Sequence, residues 1–354
     1  MEIFRPRSSQ AQHYLSSACV HKYLTQILLR GEDSFMDPST SDKIRVAAVQ
    51  AEPEWLDLEA SVNKTCSLIQ EAASQDVQLI AFPECWIPGY PAWIWSRPVD
   101  LERSVAYIRN SLVYGSPDME RIRVCAIENK INVVLGFSEN DHGSLYISQC
   151  VITDEGEIKA PRRKIKPTHM ERTVFGDCTG DSLHNVVDTS VGRVGALSCW
   201  EHINPLLKYH TYHQRELIHV AAWPPVHAHS GGSDLWSMSR EGCRALSRTY
   251  AIESSAFVLH TTSLISEKGI KIMGTADGGL MNVPGGGAAA IYAPDGRQIT
   301  NDLPETQEGL IIADLEKDRV LETRCFVDPC GHYSRPDLLW LGVDSEAKKH
   351  VRQN

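Results

Sequence analysis

The chain has 354 residues, of which 42% are hydrophobic and 23% charged, and its formal net charge is -10. This composition is typical of a globular protein with a substantial core, and it excludes a disordered or fibrous chain. The negative charge and the lack of a long basic stripe argue against a nucleic-acid-binding surface, so the expected partners are small molecules.

The cysteines and the apolar segments indicate the compartment. Ten cysteines are spread along the chain without a Cys-x-x-Cys pair, and no signal peptide is evident. No apolar run reaches the roughly 18 residues that cross a bilayer. We therefore expect a reduced, cytoplasmic protein that does not bind membranes.

The first 43 residues differ from the rest because they are rich in Ser, His and Gln. One interpretation is a weak organellar presequence within residues 1–35. The other, which we favour, is a poorly ordered N-terminal extension, since the polar segment that starts at Met36 leads directly into a strand-like run. Whether residues 1–35 belong to the mature protein stays open.

From residue 44 the hydrophobic pattern becomes regular and alternates between strands and helices. Strands are predicted at residues 44–50, 77–82, 132–137, 144–153 and 157–163. Helices are predicted at residues 58–73, about 99–114 and about 117–130. A turn is expected at residues 154–156, where the sequence reads Asp-Glu-Gly.

The second half repeats this alternation. Strands are predicted at residues 193–198, 219–224, 257–263 and, after the glycine run 285–287, at 288–293. Helices are predicted at residues 201–213 and 234–253. Strands that are apolar at nearly every position belong to sheets covered on both faces, so helices should flank them. We predict one layered α/β domain over residues 44–327, with a C-terminal tail over 328–354 that is frayed or used in assembly.

Three polar residues each follow a predicted strand: Glu84, Lys164 and Cys199. The carboxyl ends of strands in α/β folds face the usual ligand crevice, so these residues can converge there. A thiol needs a base to become a nucleophile, and its attack on an unsaturated carbon develops negative charge that a cation stabilises. Glu84 suits the base and Lys164 the cation. Both Lys164 and a helix starting at Trp200 are expected to favour the thiolate of Cys199.

Three long motifs surround these residues and resemble the nitrilase superfamily, within it the nitrilase and cyanide hydratase branch. They are FPECWIPGYP around Glu84, RRKIKPTHMERTVFGD around Lys164 and CWEHINPLLKY around Cys199. The likeness runs from about residue 44 to residue 337 in the order of the family. It implies a four-layer α-β-β-α sandwich, dimers that extend into spiral filaments, a nitrile substrate, and no cofactor or metal.

The resemblance also implies a role for each residue. Glu84 corresponds to the general base, Lys164 to the charge-stabilising lysine, Cys199 to the nucleophile, and Glu171 to a second glutamate that orients the site. Lys166 lies two residues after Lys164, so on a strand both share one face and the pattern alone leaves the choice open. The candidate substrate-binding residues are Trp86, Tyr90, Trp200, Glu201 and His202.

Other features allow two interpretations. The aromatic cluster of Trp86, Tyr90, Trp93 and Trp95 is either core or pocket wall. His227 and His229 lack further ligands at a spacing suited to zinc, so we expect a loop there. The roles of Cys85, Cys178 and His332 stay open.

We predict a nitrilase that converts an organic nitrile into the carboxylic acid and ammonia through a thioimidate and a thioester on Cys199. The alternatives are a cyanide hydratase, which releases an amide, an amidase or carbamoylase of the same superfamily, or an inert, filament-forming binding protein. His202 in CWEH favours a nitrilase, because the cyanide hydratase motif tends to read CWEN. The sequence does not rank aliphatic, aromatic, arylacetonitrile and cyanide substrates.

Overall fold

The computed structural model describes residues 43–349 and 351. The predicted N-terminal extension and the possible presequence therefore lie outside the described residues, apart from Lys43, which begins the first strand. Within the described part, no helix combines the length and the apolar character needed to cross a membrane. Residues 328–349 consist of turns and irregular chain.

Strands and helices alternate along the chain, as the sequence predicts. The strands are β1 (Lys43–Ala51), β2 (Leu79–Ala81), β3 (Asn132–Asp141), β4 (Ser144–Ile152), β5 (Ile158–Arg163), β6 (Val186–Thr189), β7 (Gly192–Ser198), β8 (Ile218–Trp223), β9 (Phe257–Ser263), β10 (Ala290–Tyr292) and β11 (Gly309–Glu316). The α-helices are α1 (Leu58–Ala73), α2 (Leu101–Asn110), α3 (Pro117–Asn129), α4 (Pro205–His213), α5 (Arg240–Ser254), α6 (Glu267–Met273) and α7 (Asp318–Phe326).

The strands form one continuous 11-stranded sheet in the order β5-β4-β3-β2-β1-β9-β8-β7-β6, with β10 on β9 and β11 on β1. The two halves join where β1 runs parallel to β9, with Gln50 opposite Thr262. β11 lies antiparallel to β1, with Ala47 opposite Ile312. The centre of the sheet is thus β1, which pairs with strands from both halves.

Alternate residues of the strands face two different cores. Val46 and Ala48 of β1 belong to a buried cluster that also contains Val220 and Leu259 from the other half of the sheet. Ala47 and neighbouring odd-numbered residues of β1 instead pack with residues of α1 and α3. Residues of β7 and β8 pack likewise with α4 and α5. The two halves of the one sheet therefore form two layers around a shared core, and a helical layer covers each half. This confirms the predicted four-layer α-β-β-α sandwich.

The helix predicted at 201–213 is wrong in one respect, because it is divided. A 3-10 helix covers Cys199–Ile203, and α4 starts at Pro205. Asn204 separates them, since its side-chain oxygen accepts hydrogen bonds from the backbone N–H groups of Leu206 and Leu207 (3.1 and 3.2 Å). Proline has no N–H to donate to the preceding turn and is favoured at the first position of a helix, so a new helix begins there.

Four elements were not predicted from the sequence: β6, β11 and the short helices α6 and α7. β11 is buried at some positions and half-exposed at others, so it lacks the continuous apolar run that marks the other central strands. Its pairing with β1 depends on a contact between distant parts of the chain, which periodicity does not reveal.

Candidate active site

Glu84, Lys164 and Glu171 meet in the interior, each with at most 2% of its surface exposed. Glu84 follows β2, Lys164 follows β5 directly, and Glu171 lies in the 3-10 helix His169–Thr173. The ammonium nitrogen of Lys164 donates to Oε2 of Glu84 at 3.1 Å and to Oε2 of Glu171 at 2.8 Å. One cation therefore holds two carboxyl groups in fixed positions.

Cys199 joins this group at the sharp turn that ends β7. Its φ is 49°, in the left-handed region that non-glycine residues seldom adopt. The sulfur of Cys199 and one carboxyl oxygen each of Glu84 and Glu171 all lie within 4.8 Å of one another. The residues predicted to converge at strand ends are thus in contact range.

The structure distinguishes the two lysines of the RRKIKP segment. Lys164 is buried between the two glutamates, whereas the Lys166 side chain is 59% exposed and forms an ion pair with Asp177 at 2.6 Å. Only Lys164 can therefore interact with a group bound at Cys199. The geometry supports the assignment that the pattern left open.

The expected effect of Lys164, which favours the thiolate of Cys199, is present but is outweighed. Burial, and then the nearby Glu84, raise the pKa of the Cys199 thiol well above its usual value, and the attraction of Lys164 does not compensate. The turn after Cys199 is a short 3-10 helix, so no long helix dipole acts on the sulfur. The raised pKa favours the neutral thiol, so any reaction at this sulfur would include the loss of its proton.

Glu84 is placed to receive that proton. Burial raises its pKa to about 8, against the opposing attraction of Lys164. Its Oε2 is held by Lys164, while Oε1 makes no hydrogen bond to any described residue. Glu84 thus has one oxygen fixed and one free to accept a proton, and its pKa suits a base near neutral pH.

Lys164 remains charged in this interior. Burial opposes the charge, but Glu171 and Glu84 together outweigh it and raise the pKa of the ammonium well above its usual value. The oxygens of Glu84 and Glu171 and the sulfur of Cys199 are close enough to share a metal ion. The ammonium already interacts with both carboxyl groups, so the donor set fits a lysine-centred site better than a metal site.

The aromatic cluster after Glu84 divides between core and site. The hydroxyl of Tyr90 donates to Oε1 of Glu171 at 3.1 Å and accepts from the indole N–H of Trp95 at 3.2 Å. Trp86 instead packs among the residues beneath α1 and α3, where its indole N–H donates to the hydroxyl of Thr65 at 2.8 Å. Tyr90 therefore stays a candidate for substrate contact, and Trp86 does not.

Glu201 is a scaffold residue rather than the predicted substrate ligand. Its two oxygens accept from the guanidinium of Arg162 at 2.7 and 2.9 Å. They also accept from the backbone N–H groups of Ile165 and Ser198, both at 2.9 Å. Burial raises the pKa of Glu201, but Arg162 and these amides outweigh it and hold the pKa below its usual value. No acceptor capacity remains for a substrate.

Arg162 is the residue of this site that the sequence analysis missed. It is buried on β5, two residues before Lys164, which directly follows the strand. The sequence offered one signal for this residue, which is that Arg162 and Lys164 are basic and lie two positions apart at the end of a predicted strand. Through Glu201, Arg162 connects the segment that carries Lys164 with the turn that carries Cys199.

We predict that Arg162→Met destabilises the protein by about 3–5 kcal/mol, because it leaves the Glu201 carboxylate buried without a partner. Denaturant unfolding measures this change. The matched control is Lys166→Met, which removes an exposed ion pair and should cost about 0–1 kcal/mol. Equal effects of the two substitutions would contradict the role assigned to Arg162.

Both ring nitrogens of His202 have partners within the protein. It is fully buried, and its Nδ1 is 2.7 Å from the backbone oxygen of Cys199. The prediction that it contacts substrate is therefore not supported by its position. Trp200 is half-buried and packs against the cluster that contains Cys199, so it remains a candidate with Tyr90.

The remaining histidine candidates have structural partners. Nε2 of His227 is 3.0 Å from the carbonyl oxygen of Val283, and Nε2 of His229 is 3.0 Å from that of Asp234. Both lie in the loop between β8 and α5, as expected. Gly285 and Gly286 have φ of 134° and 90°, so the glycine run forms a turn that other residues rarely adopt.

Comparisons with known proteins identify the family. The profile of the carbon-nitrogen hydrolase family matches residues 45–325. An arylacetonitrilase of Aspergillus kawachii is 63% identical over 314 residues, which are 89% of this chain and 96% of that protein. An arylacetonitrilase of Aspergillus niger is 64% identical over 312 residues, which are 88% of this chain and 95% of that protein.

Solved structures show the same fold at low sequence identity. A carbon-nitrogen hydrolase from Helicobacter pylori is 16% identical with a TM-score of 0.67, over 84% of this chain and 96% of that one. Nit3 of Saccharomyces cerevisiae, a member of branch 10 of the nitrilase superfamily, is 16% identical with a TM-score of 0.61, over 82% and 96%. The predicted recognition is confirmed, and the alternative of an inert binding protein is wrong. The chain belongs to the carbon-nitrogen hydrolase family of the nitrilase superfamily and is a nitrilase, an enzyme that hydrolyses nitriles.

Proposed function

We propose that the enzyme hydrolyses arylacetonitriles to arylacetic acids and ammonia, with Cys199 as nucleophile, Glu84 as base and Lys164 as charge-stabilising cation. The observation that carries the roles is the buried contact of these groups, with Lys164 hydrogen-bonded to both Glu84 and Glu171. The substrate class is supported by the relatives, which are named arylacetonitrilases at identities of 63% and 64%.

The reaction begins when the sulfur of Cys199 bonds to the nitrile carbon while Glu84 accepts the thiol proton. The displaced electron pair moves to the nitrile nitrogen, which takes that proton and gives a thioimidate. Lys164 stabilises the negative charge that develops on this nitrogen. Because the thiol is neutral at rest, its proton leaves as the carbon–sulfur bond forms.

A water then adds to the thioimidate carbon while Glu84 accepts one of its protons. Glu84 passes this proton to the nitrogen, which gives a tetrahedral adduct with a hydroxyl and an amino group. When the carbon–nitrogen bond breaks, the hydroxyl proton is transferred to the nitrogen through Glu84, ammonia departs, and a thioester remains. A second water releases the acid and returns a proton to the sulfur. If the adduct instead breaks its carbon–sulfur bond, the product is the amide, and a change of about 1.4 kcal/mol between the two barriers alters the ratio tenfold.

Glu171 acts on the site through Lys164. One of its oxygens accepts from Lys164 and from the backbone N–H of Thr168 at 2.7 Å, and the other accepts from Tyr90. With these partners, the carboxylate cannot turn towards the sulfur. It holds the ammonium in place and balances its charge while Glu84 gains and loses protons.

A panel of nitriles tests the substrate class. We predict the highest kcat/KM for phenylacetonitrile, with phenylacetic acid and ammonia as main products. Its methylene group separates the ring from the nitrile, which keeps the carbon electrophilic and lets the ring turn away from the crowded sulfur. Benzonitrile, propionitrile and cyanide are the comparison substrates, and chromatography with an ammonia assay measures the products.

The same panel separates the alternatives. Preferred hydration of cyanide to formamide would identify a cyanide hydratase, and faster turnover of phenylacetamide than of phenylacetonitrile would identify an amidase. A higher kcat/KM for benzonitrile would contradict the arylacetonitrile proposal while leaving the nitrilase activity in place.

Self-association into dimers and spiral filaments stays a prediction from the family resemblance, as does a cytoplasmic location. Exposed apolar side chains favour association, among them Ile203, Leu206 and Ile252 on neighbouring helical segments of the Cys199 side. Such a contact would lie close to the turn that carries the nucleophile.

A further inference from the structure

A buried chain of polar side chains extends from the backbone of Cys199 into the helical layer. Nδ1 of His202 is 2.7 Å from the carbonyl oxygen of Cys199, and Nε2 of His202 is 2.9 Å from Nε2 of His219. Nδ1 of His219 is 2.8 Å from Oε2 of Glu216, and the hydroxyl of Tyr250 donates to Oε1 of Glu216. Each of the four side chains has at most 1% of its surface exposed.

The hydrogen atoms of this chain follow from its first acceptor. A carbonyl oxygen only accepts, so Nδ1 of His202 carries a hydrogen, and Nε2 of a neutral His202 accepts. The hydrogen between the two imidazoles then belongs to Nε2 of His219. Nδ1 of a neutral His219 must in turn accept, so the hydrogen in the last bond comes from Glu216.

The alternative arrangement moves one proton and creates a buried ion pair between Glu216 and a charged imidazole. Burial opposes this ion pair. It raises the pKa of Glu216 to about 8, lowers the pKa of His202 to about 3, and lowers the pKa of His219 well below its usual value. The hydrogen bond from Tyr250 and the attraction of Arg324 lower the pKa of Glu216 but do not outweigh burial. Neutral groups are therefore favoured throughout the chain.

The neighbouring strand accommodates the carboxyl group. A Cβ atom at Gly195 of β7 would lie 2.1 Å from Oε2 of Glu216, so only glycine leaves room for it. β7 ends at Ser198, directly before Cys199. The strand that leads to Cys199 therefore also leaves room for Glu216, a member of the same hydrogen-bond chain.

We propose that Tyr250, Glu216, His219 and His202 are positioning residues: an ordered hydrogen-bond chain, with Glu216 as a neutral carboxylic acid, that holds the carbonyl group of Cys199 and thereby directs its sulfur. The proposal rests on the proposed role of Cys199 as nucleophile. The peptide group is planar, so fixing this carbonyl fixes the whole peptide between Cys199 and Trp200. That constraint matters because Cys199 has a left-handed backbone, which its surroundings must maintain.

Two substitutions of similar size test the chain. Glu216→Gln keeps an N–H donor for His219 and an oxygen acceptor for Tyr250, so we expect kcat within about threefold of wild type. Glu216→Leu removes both, and we expect kcat to fall about ten- to hundredfold with little change in KM, because the nucleophile is misplaced. The ratio of amide to acid should also change, since a displaced sulfur alters the two barriers by which the tetrahedral adduct breaks down.

Infrared difference spectroscopy of wild type against Glu216→Gln gives a readout that does not depend on turnover. The expected difference is the loss of the C=O stretch of a protonated carboxyl group at neutral pH. Loss of carboxylate bands instead would overturn the proton assignment, whatever the role of Cys199 proves to be.

Kinetics can overturn the positioning role separately. Wild-type kcat and product ratio in Glu216→Leu, with only a lower unfolding temperature, would show a purely structural chain. An equal loss of kcat in the Gln and Leu variants would contradict the neutral form of Glu216. If the Leu variant does not fold, the infrared spectrum and the kcat of Glu216→Gln decide the question.

Discussion

Cys199→Ala should abolish the release of acid, amide and ammonia from every nitrile, lowering kcat by more than about 10⁴-fold. The sulfur forms the only covalent bond between enzyme and substrate in the proposed reaction, and it lies within 4.8 Å of a carboxyl oxygen of Glu84 and of one of Glu171. Ammonia release under saturating phenylacetonitrile measures the effect. The substitution removes one atom at a buried position, so the unfolding temperature should change little.

The matched control is Cys150→Ala, which removes another buried thiol from β4, outside the site. This variant should retain wild-type turnover. Ammonia release by Cys199→Ala at a rate near that of Cys150→Ala would contradict the mechanism, because it would require a different nucleophile.

Glu84→Gln should lower kcat by about 10²–10⁴-fold, the range that general acid–base catalysis supplies. The amide has the size of the carboxyl group and can still contact Lys164, but it cannot accept a proton. The carboxylate form of Glu84 is the base, and burial places its pKa at about 8. Wild-type kcat/KM should therefore rise as pH increases through about 8, and the residual activity of Glu84→Gln should lack this rise. Steady-state kinetics over a pH series measure both effects.

Glu157→Gln serves as the control, since Glu157 is exposed and pairs only with Lys159 at the surface. It should leave both kcat and the pH profile unchanged. If Glu84→Gln keeps the wild-type pH profile, another group is the base.

The positions of Glu84, Lys164 and Cys199 could be predicted because each follows a strand, and the carboxyl ends of strands face the usual ligand crevice. The strands concerned, β2, β5 and β7, are not neighbours in the sheet, so how they are brought together depends on the whole fold. The motifs did not predict which way the adjacent side chains face. Trp86 and His202 stand close to catalytic residues in sequence, yet Trp86 packs beneath a helical layer and His202 contacts the backbone behind Cys199. Sequence proximity does not indicate side-chain direction on a sharp turn.

The protonation state of the nucleophile was also beyond the sequence. A lysine near a cysteine favours the thiolate, and this attraction is present in the structure. Burial and a neighbouring carboxyl group outweigh it, and both depend on how distant segments pack. The sign of the shift is therefore a property of the folded site and not of its motifs.

The Glu201 carboxyl group accepts from Ser198 N–H on one side and from Ile165 N–H on the other. One small carboxyl group thus links the backbone just before Cys199 to the backbone just after Lys164. A substitution that displaces either segment is therefore expected to displace the other, so the spacing of the sulfur and the ammonium depends on Glu201 as well as on the side chains that react.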